Sequence, residues 1–100
     1  MIRHIVFFKM KEQARDALGI ENAKKLSEAF KEISAKIPGV VSVETGFNQN
    51  HDKQFYELCV NQAFQDEQSL DDYLANPLHV EVRELVFDVI DHRIVVDYSI

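Results

Sequence analysis

The chain has 100 residues, of which 46% are hydrophobic and 28% charged, and its formal net charge at pH 7 is −6. That is one ordinary globular domain, at the small end of what buries an adequate core, and not a disordered chain. An acidic balance without a basic stripe argues against capture of nucleic acid or anionic lipid, and no apolar run approaches a membrane span.

Ile2 to Met10 reads as a strand, with His4, Val6 and Phe8 on one face and Ile5 and Phe7 on the other. A strand apolar on both faces is covered on both. Its run from Ile5 to Phe8 is too short for a signal-peptide core, and Lys9 closes it. Lys11 to Gly19 is a polar connector with room for a helical turn. Glu21 to Ile37 is an amphipathic helix: Ala23, Leu26, Phe30, Ile33 and Ile37 recur at three- and four-residue steps. Pro38-Gly39 ends it. Val40 to Phe47 and Gln54 to Phe64 form a hairpin around the polar turn from Gln49 to Asp52. The single cysteine, Cys59, lies in the second of these strands, between Leu58 and Val60. It reads as a packed, inert thiol, and the absence of any possible intrachain disulfide fits a cytoplasmic location.

Asp66 suits the N-cap of a short helix in which Leu70, Tyr73 and Leu74 share a face. Asn76-Pro77 ends that helix and opens the next, which runs to about Ile90 with Leu78, Val82, Leu85, Val86 and Val89 on one side. His92 to Ile100 is the last strand. The order β-α-β-β-α-β, with the second crossover split in two, predicts an α+β, ferredoxin-like subunit. Its sheet is antiparallel and both helical layers lie on one side. The other face would be polar in a monomer, yet Ile5, Phe7, Ile94, Val96 and Tyr98 fall there by parity. A patch of that size predicts a homodimer, with the two sheets packed face to face across a two-fold axis.

Three segments resemble one known family, the stress-responsive dimeric α/β-barrel (Dabb) proteins. They are the opening RHIVFFKMK, the central FQDEQSLDDYLANPLHVEV and the closing IVVDYSI. Within the second, Tyr73-Leu74-Ala75-Asn76-Pro77-Leu78-His79 resembles the family signature Y-x-x-H-P-x-H-x, with Asn76 in place of its first histidine. The resemblance spans essentially the whole chain and implies a ferredoxin-like subunit whose dimer forms a barrel. Most members have no assigned reaction. The related plant polyketide cyclases of the olivetolic acid cyclase type need no cofactor and perform an intramolecular aldol condensation. By that resemblance the candidate catalytic residues are Tyr73, His79 and Asp97, with His4 near them. The cyclases also carry a pocket histidine where this chain has Leu58.

In this reading His79 stands in the first turn of the helix that Asn76 caps, where the partial positive charge keeps an imidazole neutral and able to act as a base. Asp97 would hold its tautomer, and Tyr73 would donate to a carbonyl becoming an enolate. His4, Val6, Phe30, Leu58 and Val82 would line a pocket for a small apolar or carbonyl-containing ligand. Equally open is a structural reading, in which His79 and Asp97 tie the third helix to the last strand and Tyr73 and His4 are core residues. A metal is not expected, since His4, His79 and Asp97 follow no recognised ligand spacing. With three glycines there is no phosphate loop, so no nucleotide cofactor is expected either. A heme- or substrate-handling monooxygenase would share the fold, but only as an analogy.

Overall fold

The apolar run Ile2–Met10 forms β1, with a neighbouring strand on each side, in a computed structural model that describes residues 1–100. After it come the two-residue strands β2 (Gln13–Ala14) and β3 (Ala17–Leu18), then α1 (Gly19–Lys36) and β4 (Val40–Phe47). The chain continues through β5 (Leu58–Phe64), α2 (Glu67–Ala75), α3 (Pro77–Val89) and β6 (Ile90–Ser99). The main sheet has the order β4-β5-β1-β6, with every neighbouring pair antiparallel. This is the ferredoxin-like arrangement expected from the element order.

The helices begin and end for local reasons. The Asp66 carboxylate accepts from the Ser69 N–H at 2.8 Å, and Asn76 Oδ1 accepts from the Leu78 N–H at 2.9 Å, with Pro77 at the first helical position. Each side chain satisfies a backbone donor that the helix leaves free. Beyond α1, Gly39 adopts φ +88°, and a Cβ there would lie 2.7 Å from Ser69 Cβ and Oγ. Gly39→Ala is therefore expected to destabilise the fold by at least about 1 kcal/mol. Urea unfolding reads this directly, and an unchanged midpoint would contradict it.

Directly paired residues in an antiparallel sheet point to the same face. The register sets His4 opposite Gln62 and Asp97, and Val6 opposite Val60 and Val95, on the face that α1 and α3 cover. Ala23, Leu26, Phe30 and Ile33 of α1 pack there with Phe8, Val60, Phe64, Tyr73 and Val86 in one core. On the opposite face the register aligns Ile5 with Asn61 and Val96, and Phe7 with Cys59 and Ile94. Phe7, Ile94, Val96 and Tyr98 remain 39 to 47% exposed in the subunit. The expected outer apolar patch is thus present. No helix is long and apolar enough to cross a membrane.

Three details differ from the expectation. The connector after β1 is a hairpin, not a helical turn: Arg15 and Asp16 both have positive φ, as a tight two-residue hairpin turn requires. The third main strand starts at Leu58 instead of Gln54. Before it, Asn48, Asn50 and Asp52 each accept from the backbone N–H two residues on, and this local bonding replaces a sheet ladder. Finally, the helical layer leaves the edge strand β6 open. Val95 points inward, yet it is 44% exposed.

Candidate functional site

Strand register brings the first polar pair together. His4 Nδ1 is hydrogen-bonded to Asp97 Oδ1 across the β1–β6 ladder. Facing an ionised carboxylate, Nδ1 carries the ring proton, so Nε2 holds the lone pair. The His4 ring is buried and meets Phe64 edge-on, with centroids 6.1 Å apart.

His79 comes from the other layer. It is the third residue of α3 and its ring is about nine-tenths buried. Burial pushes its pKa down from 6.5 to about 4; a hydrogen bond to the Leu74 carbonyl acts in the opposite sense, and repulsion from Arg83, from His4 when protonated, and from Arg93 lowers it further. The imidazole is neutral at pH 7, and its Nδ1 has no hydrogen-bond partner. A buried polar atom without a partner costs about 1–3 kcal/mol, and this one is closed off from solvent and cavity alike, so only the remainder of the ring is available to the cavity.

That cavity lies between the sheet and helices α1 and α3 and has a volume of about 250 Å³. Val6, Phe8, Val60, Phe30, Leu74 and Val86 give it apolar walls; His4, Asp97, Gln62 and His79 supply its polar groups; Arg83, Arg93 and Val95 complete the lining. Of the residues expected at the site, the cavity brings together His4, Val6, Phe30, His79 and Asp97.

The remaining expectations need correction. Asp97 bonds His4 and not His79, because the antiparallel register fixes that pair while His79 sits on a helix above the sheet. Tyr73 packs against the His79 ring, 4.7 Å between centroids, but it is fully buried and does not line the cavity. Its hydroxyl is turned into the core and accepts from Gln62 Nε2 at 2.9 Å, and Gln62 Nε2 also donates to Ser34 Oγ. Burial pushes the Tyr73 pKa up to about 12, against the opposing effect of those hydrogen bonds. Leu58 is core, farther along β5, and Val82 faces a separate groove between α1 and α3 with Ile33 and Leu85. Neither borders the cavity.

Gln62, Arg83, Arg93 and Val95 were not anticipated. Their signals lie in spacing: Arg83 is one helical turn beyond His79, and Arg93 and Val95 share the parity of Asp97. No three His, Cys, Asp or Glu side chains gather closely enough to hold a metal ion. Cys59 is on the opposite face, where burial and Glu44 raise its pKa, so the thiol stays protonated.

Solved structures share this frame. The chain is similar to a dimeric ferredoxin-like protein of unknown function from Bacteroides fragilis (24% identity, TM-score 0.77, covering 99% of this chain and 95% of that one). It is similar to a Dabb-family protein with a ferredoxin-like fold from Mesorhizobium loti (25% identity, TM-score 0.77, 99% and 95%). It is also similar in fold to a hydroxynitrile lyase from Passiflora edulis (16% identity, TM-score 0.82, 99% and 92%). No curated protein matches the chain. Residues 2–100 match the model of the stress-responsive A/B barrel domain, and the chain therefore belongs to the Dabb family.

Proposed function

We propose that this Dabb protein is a homodimer, joined through the outer sheet face, in which each subunit binds a small, largely apolar, carbonyl-containing ligand between its helices and its sheet. The observation that carries the reading is a cavity with apolar walls in which the side chain of buried, neutral His79 meets the His4–Asp97 pair. Neutral imidazole can present either a donor or an acceptor to a ligand without the cost of desolvating a charge.

A second reading is favoured by one specific contact. Asp97 backs His4 at Nδ1, so a proton taken at His4 Nε2 would be stabilised by the carboxylate. Cofactor-independent proton abstraction next to a ligand carbonyl would then use His4 as base and Asp97 as its orienting partner. His79 would hydrogen-bond the carbonyl oxygen, and Tyr73 would position His79 through ring packing. This revises a mechanism in which His79 itself is the base. The fold shared with a lyase is compatible with such chemistry.

One titration addresses both readings. Adding hexan-2-one in D₂O is expected to shift the NMR signals of His4, Val6 and His79 with millimolar or tighter affinity, as suits so small a ligand. Val95→Trp, which fills the open side, should abolish those shifts; shifts that persist unchanged would overturn the cavity reading. Deuterium entering the ligand next to its carbonyl, and lost in His4→Ala, would support catalysis. Binding without exchange would leave a binding protein.

A further inference from the structure

We infer that the ligand of this cavity bears a carboxylate, held at the mouth by Arg83 and Arg93, with its apolar body directed inward. The inference rests on the cavity being a ligand site and adds the charge and class of its occupant.

The chain has four arginines and 17 acidic residues, so a free guanidinium is the exception that needs a reason. Arg15 pairs with Asp88, and Arg3 donates to Asn61. Arg83 and Arg93 take part in no ion pair and donate no side-chain hydrogen bond, yet both line the cavity. They reach it from different elements. Arg83 is four residues after His79 on α3, and Arg93 is on β6, four residues before Asp97 and on the same face. Arg93 lies over the Phe87 ring, 5.2 Å from its centroid, which steadies the guanidinium and leaves its N–H groups unspent. The positive charge of both residues is felt at His79, in the cavity wall.

The only carboxylate lining the cavity is Asp97, and it is engaged by His4. An acidic protein thus places two unpaired guanidiniums at this one opening. Guanidinium is the side chain whose planar N–H groups match a carboxylate two by two. A monoanion suits two guanidiniums with Asp97 in the same lining, whereas a phosphate dianion would meet more repulsion from that carboxylate. The apolar walls set the remainder of the molecule. At about 30 Å³ per water, 250 Å³ is the space of about eight waters, which fits a ligand of about eight non-hydrogen atoms.

Hexanoate and hexanamide have that size and the same shape, and differ in charge. Calorimetric titration of the intact protein at pH 7 is expected to show hexanoate binding about tenfold or more tightly than hexanamide, with an advantage that shrinks as salt is added. Arg83→Gln with Arg93→Gln should bring hexanoate down to the affinity of hexanamide and leave hexanamide unchanged. The exposed single substitution Arg93→Gln should remove part of the difference, and the salt dependence of the unaltered protein tests the charge without any substitution. Equal affinity for the two probes, or a preference for hexanoate that survives both substitutions, would overturn the carboxylate assignment while leaving the ligand site standing. Binding of neither probe would overturn the site itself, and this inference with it.

Discussion

Phe7→Asp is expected to turn the proposed homodimer into a destabilised monomer. Phe7 lies near the middle of the outer apolar face, on a strand flanked on both sides, with Cys59 opposite on β5 and Ile94 opposite on β6. Ile5 and Val96 continue the same surface, and solved relatives that share the fold are dimeric. In a two-fold contact two substituted carboxylates, one from each copy, would be stripped of water, with no cation on that surface nearer along the strand than Arg3 or Lys9. Lys9 is already paired with Glu57. An unpaired buried charge costs several kcal/mol, so the dimer dissociation constant should rise by about a hundredfold or more. Light scattering at micromolar concentration would then give one subunit mass where the unaltered protein gives two. Leu78→Asp provides the comparison, because Leu78 is exposed on the helical side and its substitution should leave the dimer intact. A Phe7→Asp protein that remains dimeric would place the interface on another surface.

Why that face was legible in the sequence, and other features were not, follows from which interactions are local. Strand parity is absolute: once β1 is a strand, Ile5 and Phe7 must oppose His4, Val6 and Phe8. Helix spacing is as constraining, and Asp66 and Asn76 announce the helix starts because each cap bond closes within three residues. The hairpin at Gln13–Leu18 gave no such sign. Arg15 and Asp16 take positive φ where glycine or asparagine would ordinarily declare the turn. The loop before β5 hides its own signal as well, since its asparagines and aspartate serve the backbone instead of the solvent.

The site was legible as a set of residues but not as a set of bonds. His4, Val6, Phe30, His79 and Asp97 surround one cavity because parity and helical phase place them there. Which histidine receives Asp97 depends on the register between β1 and β6, strands separated by most of the chain and joined by no turn that would fix it. The direction of the Tyr73 hydroxyl depends on Gln62 and Ser34, residues of two other elements that meet only in the packed core. Arg83 and Arg93 read as solvated surface charges until the fold brings a helix turn and an edge strand to the same opening.

Burial of His79 carries its own expected result. The ring titrates near pH 6.5 in an unfolded chain and near 4 in the fold, so between those values the unfolded state holds a proton that the native state refuses. The stability associated with the neutral ring is complete above about pH 6.5 and is lost progressively as the pH falls toward 4. The full difference corresponds to at most about 3 kcal/mol. His79→Leu replaces the imidazole with an apolar side chain in the same buried place, and it sacrifices no hydrogen bond at Nδ1. The variant should therefore match or exceed the unaltered protein at pH 7. Its advantage should widen by a few kcal/mol as the pH is lowered to about 4, because carboxylate protonation affects both proteins alike and cancels in the comparison. Urea unfolding of both proteins across that range makes the measurement. Parallel stability curves would mean that His79 is not held neutral by its surroundings, and the argument for a neutral imidazole in the cavity wall would lose its electrostatic basis.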